Sequence, residues 1–134
     1  MAEGKVNFEL VSPDRLLVSV DADMVVVPGA EGDFGVLPGH APFISTLRTG
    51  VIDVYDGTKV SDRIFVAEGF AEVTPDRCTV LAGEADRLSE VDRADAEKRL
   101  ADAELDLRDA ADDRERAKAQ AVVNVARALV EARR

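Results

Sequence analysis

The chain has 134 residues, 46% of them hydrophobic, and a formal net charge of −10. That length suits one ordinary domain plus a small appendage, and the charge argues against nucleic acid or an anionic membrane surface as a direct partner. A single cysteine, Cys78, and a single histidine, His40, leave no internal disulfide and none of the usual metal-ligand clusters, so neither a metal nor a cofactor is expected.

The opening MAEGKVNFELV has one lysine and no apolar centre of signal-peptide length, which points to the cytoplasm. No apolar run approaches the roughly 18–20 residues that span a bilayer. From there to about residue 83 the chain reads as β. The runs VNFELV, RLLVSV, DMVVVP, GVIDVY, DRIFVA, FAEVT and RCTVLA are rich in β-branched and apolar residues, and SPD, PGAEGD, DG and TPD punctuate them. Asp56-Gly57 suits a tight turn. Many short strands without a helical period between them predict a small antiparallel sandwich or barrel.

Within this part, Pro28–Phe43 holds four glycines, three prolines and His40. The glycine spacing fits neither G-x-x-x-x-G-K-[ST] nor a dinucleotide fingerprint. Glu31 and Asp33 would also repel phosphate, so the glycines are read as turn formers. His40 has no recognisable nucleophile elbow with it, and Cys78 reads as a small apolar side chain within a strand. No active site assembles from these residues.

After LAGEADRLSEVD the composition switches, and from Val91 onward there is no glycine or proline. Ala96, Leu100, Ala103, Leu107 and Ala110 form a helical stripe, and Val122, Val125, Leu129 and Ala132 form another. Ser89 is the expected N-cap, with Asp92 three positions on. DAADDRER is the expected turn of a helical hairpin, with one continuous helix as the alternative. Residues 84–113 are strongly acidic, whereas residues 114–134 carry six basic side chains against two acidic ones. A hairpin would set these opposite charges side by side. The division expected is a β-domain over 1–85 and a helical hairpin over 86–134. The small side chains of the stripe bury little area, so the hairpin is a candidate moving part.

EGDFGVLPGHAPFISTLRTG, FELVSPDRLL, VAEGFAEV and CTVLAGEAD, in that order, resemble the signature segments of the epsilon subunits of F-type ATP synthases. The resemblance covers essentially the whole chain. It implies a β-sandwich of about ten short strands followed by two C-terminal helices. It further implies a non-catalytic rotor subunit that binds the gamma subunit and the polar loops of the c-ring and couples proton translocation to ATP synthesis and hydrolysis. Such a subunit lies at the cytoplasmic face of the cell membrane, associated with it only through the complex. Glu31, Asp33 and His40 would then form a docking corner at the c-ring end, and the C-terminal helices would regulate hydrolysis by reaching the alpha and beta subunits.

Some bacterial members bind ATP at the hairpin through a motif beginning Ile/Leu-Asp-x-x-Arg-Ala. Here Val91-Asp92-Arg93-Ala94-Asp95-Ala96 keeps Asp92 but has Asp95 in place of the arginine. On the second helix Arg127 matches one phosphate-contacting arginine, and Val123 replaces the other. Exchanging cations for an anion beside a triphosphate removes the attraction, so no ATP binding is expected. The competing readings are a free-standing adaptor of sandwich and hairpin, or a small enzyme using His40.

Overall fold

The computed structural model describes residues 4–134; Met1–Glu3, part of the opening segment read for a leader, lie outside the described residues. The chain forms two compact units that meet in sequence at Arg87 and Leu88. In the first, the strands are β1 (Val6–Ser12), β2 (Arg15–Ala22), β3 (Met24–Gly29), β4 (Gly32–Val36), β5 (Phe43–Thr46), β6 (Gly50–Asp56), β7 (Lys59–Thr74) and β8 (Arg77–Arg87). They hydrogen-bond in the order β2-β1-β8-β7-β6-β3-β4, with β5 on β7. All pairings are antiparallel except β1 with β8.

Alternation decides which face turns inward. On β1, Val6, Phe8 and Leu10 are fully buried while Asn7 and Glu9 stay partly exposed. Val25 and Val27, Ile52, Ile64 and Val66, and Val80 complete the same core. Each such side chain contributes about 1.5–3 kcal/mol by leaving water. Cys78 lies in this core too, and burial pushes its thiol up to about 12. It stays protonated at neutral pH and is no nucleophile. Gly57 takes φ +65° in the β6–β7 turn, beside the facing pair Asp56 and Lys59.

The sandwich has eight strands among the described residues rather than about ten. The difference lies in β7, whose 16 residues serve two neighbours in turn. Gly50–Asp56 pairs with its first half, up to Val66, and β5 pairs with its second half, from Phe70. The change of partner falls at Glu68 and Gly69. Ala67 faces Glu84 and Gly69 faces Ala82 in one unshifted register, with Glu68 set against Gly83 between them. Glu68 has φ 62° and Gly69 φ 121°, a local strain that lets one continuous strand turn the corner.

Asp23, between β2 and β3, accepts from Lys5 at 2.7 Å and from the Gly57 backbone N–H. These bonds, Lys5 first and Gly57 second, hold its carboxyl below the usual 3.8. A depressed carboxyl stabilises the fold fully above its ordinary value, and that contribution disappears as pH falls through the lower folded value. Asp23→Asn should therefore flatten the fall in unfolding midpoint below about pH 4, read by denaturant titration across the acid range. An unaltered acid limb would show that Asp23 contributes nothing to it.

The second unit begins with a 3-10 turn, Leu88–Glu90, followed by α1 (Arg93–Arg108) and α2 (Asp113–Arg133). The helices pack as a hairpin, and the continuous-helix alternative does not occur. The N-cap of α1 is Asp92, not Ser89: its carboxylate accepts from the Asp95 N–H at 3.1 Å. Ser89 is instead held within the 3-10 turn, whose Leu88 is buried. Between the helices, Asp112 caps α2. The first stripe turns inward as expected through Ala103, with Leu100 and Leu107 against it; in the second, Leu129 is buried as expected, but Val123 and Ala126 take the inward places of Val122 and Val125. Val123 and Ala126 form the interhelical core, while Val122 is 51% exposed. A valine pair leaves the phase ambiguous, and the alanine three residues on decides it.

Candidate functional site

Glu31 sits at the exposed tip of the β3–β4 turn. Asp33, on β4, is not a bare charge, because the Arg48 guanidinium binds it while donating to the Gly29 carbonyl at 2.9 Å. Arg48 follows β5, so it ties the β3–β4 turn to the β5–β6 connection. His40 lies in the β4–β5 loop and places Nδ1 2.6 Å from the Ala41 carbonyl oxygen, an arrangement that has Nδ1–H donating. Its ring meets that of Phe43 at 6.4 Å, and Phe43 meets Phe34 edge-on at 5.2 Å. Through these rings the loops carrying Asp33 and His40 form one corner. Gly39 N–H donates to the Pro75 carbonyl at 2.6 Å, with φ 82°, which anchors the histidine loop to the β7–β8 turn.

The corner is less acidic and more apolar than its carboxylates imply. Leu37, Phe43 and Ile44 are 53%, 45% and 67% exposed. Sequence reasoning missed these three and Arg48. The available signal was a set of large apolar residues in a proline-rich loop, where no alternation assigns them to the core.

A second surface lies on the outer face of the sheet. Leu16 faces Val11, Val11 faces Leu81, and Leu81 faces Phe70. Four neighbouring strands thus contribute one residue each to a continuous apolar row, with Leu16, Phe70 and Leu81 exposed. Glu9, Thr79 and Glu72 form the adjacent row. Val11, Ser12, Pro13, Leu81, Ala82 and Gly83 line a shallow groove at one end. Scattered apolar side chains on a surface are ordinary, and an ordered row across four strands is a candidate interaction surface.

Comparison with known proteins identifies the setting. The family described as "ATP synthase, Delta/Epsilon chain, beta-sandwich domain" matches residues 5–88. An ATP synthase epsilon chain from Rhodospirillum rubrum is 53% identical over 128 residues, 96% of each chain. One from Paramagnetospirillum magneticum is 56% identical over 132 residues, 98% of each. The chain belongs to the family of bacterial ATP synthase epsilon chains. It is accordingly a non-catalytic subunit of that complex. A chain in the structure of the Euglena gracilis mitochondrial ATP synthase, OSCP/F1/c-ring, shares the fold with a TM-score of 0.78 at 24% identity, over 94% of this chain and 79% of that one.

For an epsilon chain of this family, the residues matched to the ATP motif have other partners. Asp92 spends its carboxylate on capping α1. Arg127 reaches across the hairpin to Glu104 at 3.5 Å. Val123 is 1% exposed, so the position is an apolar core site and not a surface from which a cation could reach a phosphate. Among the described residues there is no cluster of histidine, cysteine and carboxylate groups able to hold a metal. No helix among them is long and apolar enough to cross a membrane.

Proposed function

We propose that this subunit turns with the central stalk, its β-unit docked on gamma through the apolar outer row and on the polar loops of the c-ring through the corner of Glu31, Asp33 and His40. In this role it transmits torque and couples proton translocation to ATP synthesis and hydrolysis at the cytoplasmic face of the membrane, held there by the complex alone. Residues 1–85 supply the docking surfaces, and the helices of 86–134 regulate by reaching the alpha and beta subunits. A solved relative of the same fold, from the Tetrahymena thermophila mitochondrial ATP synthase, is described as central stalk and c-ring; it has a TM-score of 0.61 and 11% identity, over the full length of both chains.

The observation that carries this reading is the row Leu16, Val11, Leu81 and Phe70. An acidic unit that leaves an ordered apolar line in water is built to lose that water to a partner. Phe70 is the anchor at the β7 end of the row, because it is the row's one aromatic side chain, 42% exposed, and aromatics are enriched where interfaces bind. Phe70→Glu together with Leu81→Glu should weaken binding to purified gamma by about a hundredfold and leave the far-UV spectrum unchanged. Binding of this variant with unaltered affinity would remove the outer row from the gamma contact. In membranes, Glu31→Lys with Asp33→Lys and His40→Ala should reduce ATP-driven proton pumping relative to hydrolysis. Full pumping by that variant would remove the corner from the c-ring contact.

A further inference from the structure

We propose that Arg133 is a latch that fastens the helical hairpin at the end opposite its turn, so that breaking one hydrogen bond frees α2 from α1 while the β-unit stays folded. Arg133 is the last residue of α2, and its Nε–H donates to the Val91 carbonyl oxygen at 2.6 Å, partly buried and 42 positions away in sequence. Val91 immediately precedes Asp92, the N-cap of α1. The bond therefore joins the end of one helix to the entrance of the other.

The rest of the hairpin explains why this contact matters. The core between its helices is built on Ala103, Val123 and Ala126, with Leu100 and Leu107 at the side, small side chains that bury little area; nearer the Arg133 end Ala96, Leu129 and Val130 are buried as well. Across the middle, Glu104 and Arg127 are about half exposed at 3.5 Å, a pair that is worth little in water and is screened by salt. The turn end is well secured. Asp112 accepts from the Glu115 N–H at 2.8 Å and Glu115 accepts from the Ala111 N–H at 3.0 Å, a reciprocal cap. Separation thus begins at the opposite end, where Arg133 supplies a charge-assisted bond from which water is partly excluded. The latch yields to an acceptor that competes with the Val91 carbonyl for the guanidinium. This holds whichever surface of the β-unit docks.

Hydrogen exchange on the full chain tests it, comparing the unmodified protein with Arg133→Met, Arg133→Lys and Arg127→Met. Arg133→Met should speed exchange about tenfold in Glu97–Ala101 of α1 and Val125–Ala132 of α2, with the β-strands unchanged. Arg133→Lys, which keeps a cationic donor, should retain most of the protection, and Arg127→Met should have the smaller effect. Exchange in Arg133→Met within about twofold of the unmodified chain would overturn the latch and assign that end to buried Leu129 and Val130. Equal acceleration across strands and helices would overturn it as well, because the bond would then stabilise the whole protein instead of gating one hairpin.

Discussion

Replacing Gly69 by alanine is expected to cost on the order of 3–5 kcal/mol and to leave the β-unit largely unfolded at moderate temperature. Two effects add. A φ of 121° is a conformation that side-chain-bearing residues rarely adopt, and an added Cβ would overlap the Leu81 carbonyl oxygen and lie 2.9 Å from the Ala82 Cα. Those atoms belong to the paired backbone of β8, which cannot retreat without breaking the ladder that Phe70 and Leu81 share. Gly57→Ala is the control. Its φ of 65° is also positive, but no atom lies within 4 Å of the added carbon, so a cost of about 1 kcal/mol is expected. Denaturant unfolding of both variants measures the difference. Equal stabilities would show that β8 relaxes and that the backbone at Gly69 is not fixed.

Val123→Arg should melt the hairpin and spare the sandwich. The side chain is 1% exposed against Ala103 and Ala126, and alanine neighbours leave no room for a guanidinium and offer it no acceptor. Burying that charge unpaired, or parting the helices to hydrate it, costs about 3 kcal/mol or more, beyond what so small a core can offset. Helical far-UV signal should fall while protection in the strands persists. The same substitution bears on nucleotide binding. Restoring the motif as Asp95→Arg with Val123→Arg should not create an ATP site, because the second arginine dismantles the surface it would need. Calorimetric titration should find no millimolar affinity in either protein. A folded, ATP-binding double variant would show that the hairpin can repack around position 123.

The outer row and the docking corner were legible to different degrees. Glu31, Asp33 and His40 stand in a motif whose resemblance names them, but nothing in the string couples Asp33 to Arg48, fifteen positions on. That pairing depends on how the β5–β6 connection returns past the β3–β4 turn. Leu16, Val11, Leu81 and Phe70 each fall within a run correctly read as strand, yet their alignment into one row rests on the register of three strand pairs. Register is set by alternation on all the strands together, and a shift of one residue on any of them would break the row.

What the chain determined by itself was local. The β-branched runs and their turn residues dictated strands, the loss of glycine and proline after Val91 dictated helices, and the motif EGDFGVLPGHAPF dictated the family. Backbone preference and side-chain period act over a few residues, so a linear reading captures them. The tertiary structure alone decided that β7 is one bent strand serving β6 and β5, that Asp92 and not Ser89 caps α1, and that Val123 and not Val122 faces inward. Each of these is a choice between neighbouring residues of similar chemistry. Local propensity leaves them nearly degenerate, and the packing of distant segments, through a backbone contact at Gly69 or an alanine opposite Val123, supplies the energy that separates them.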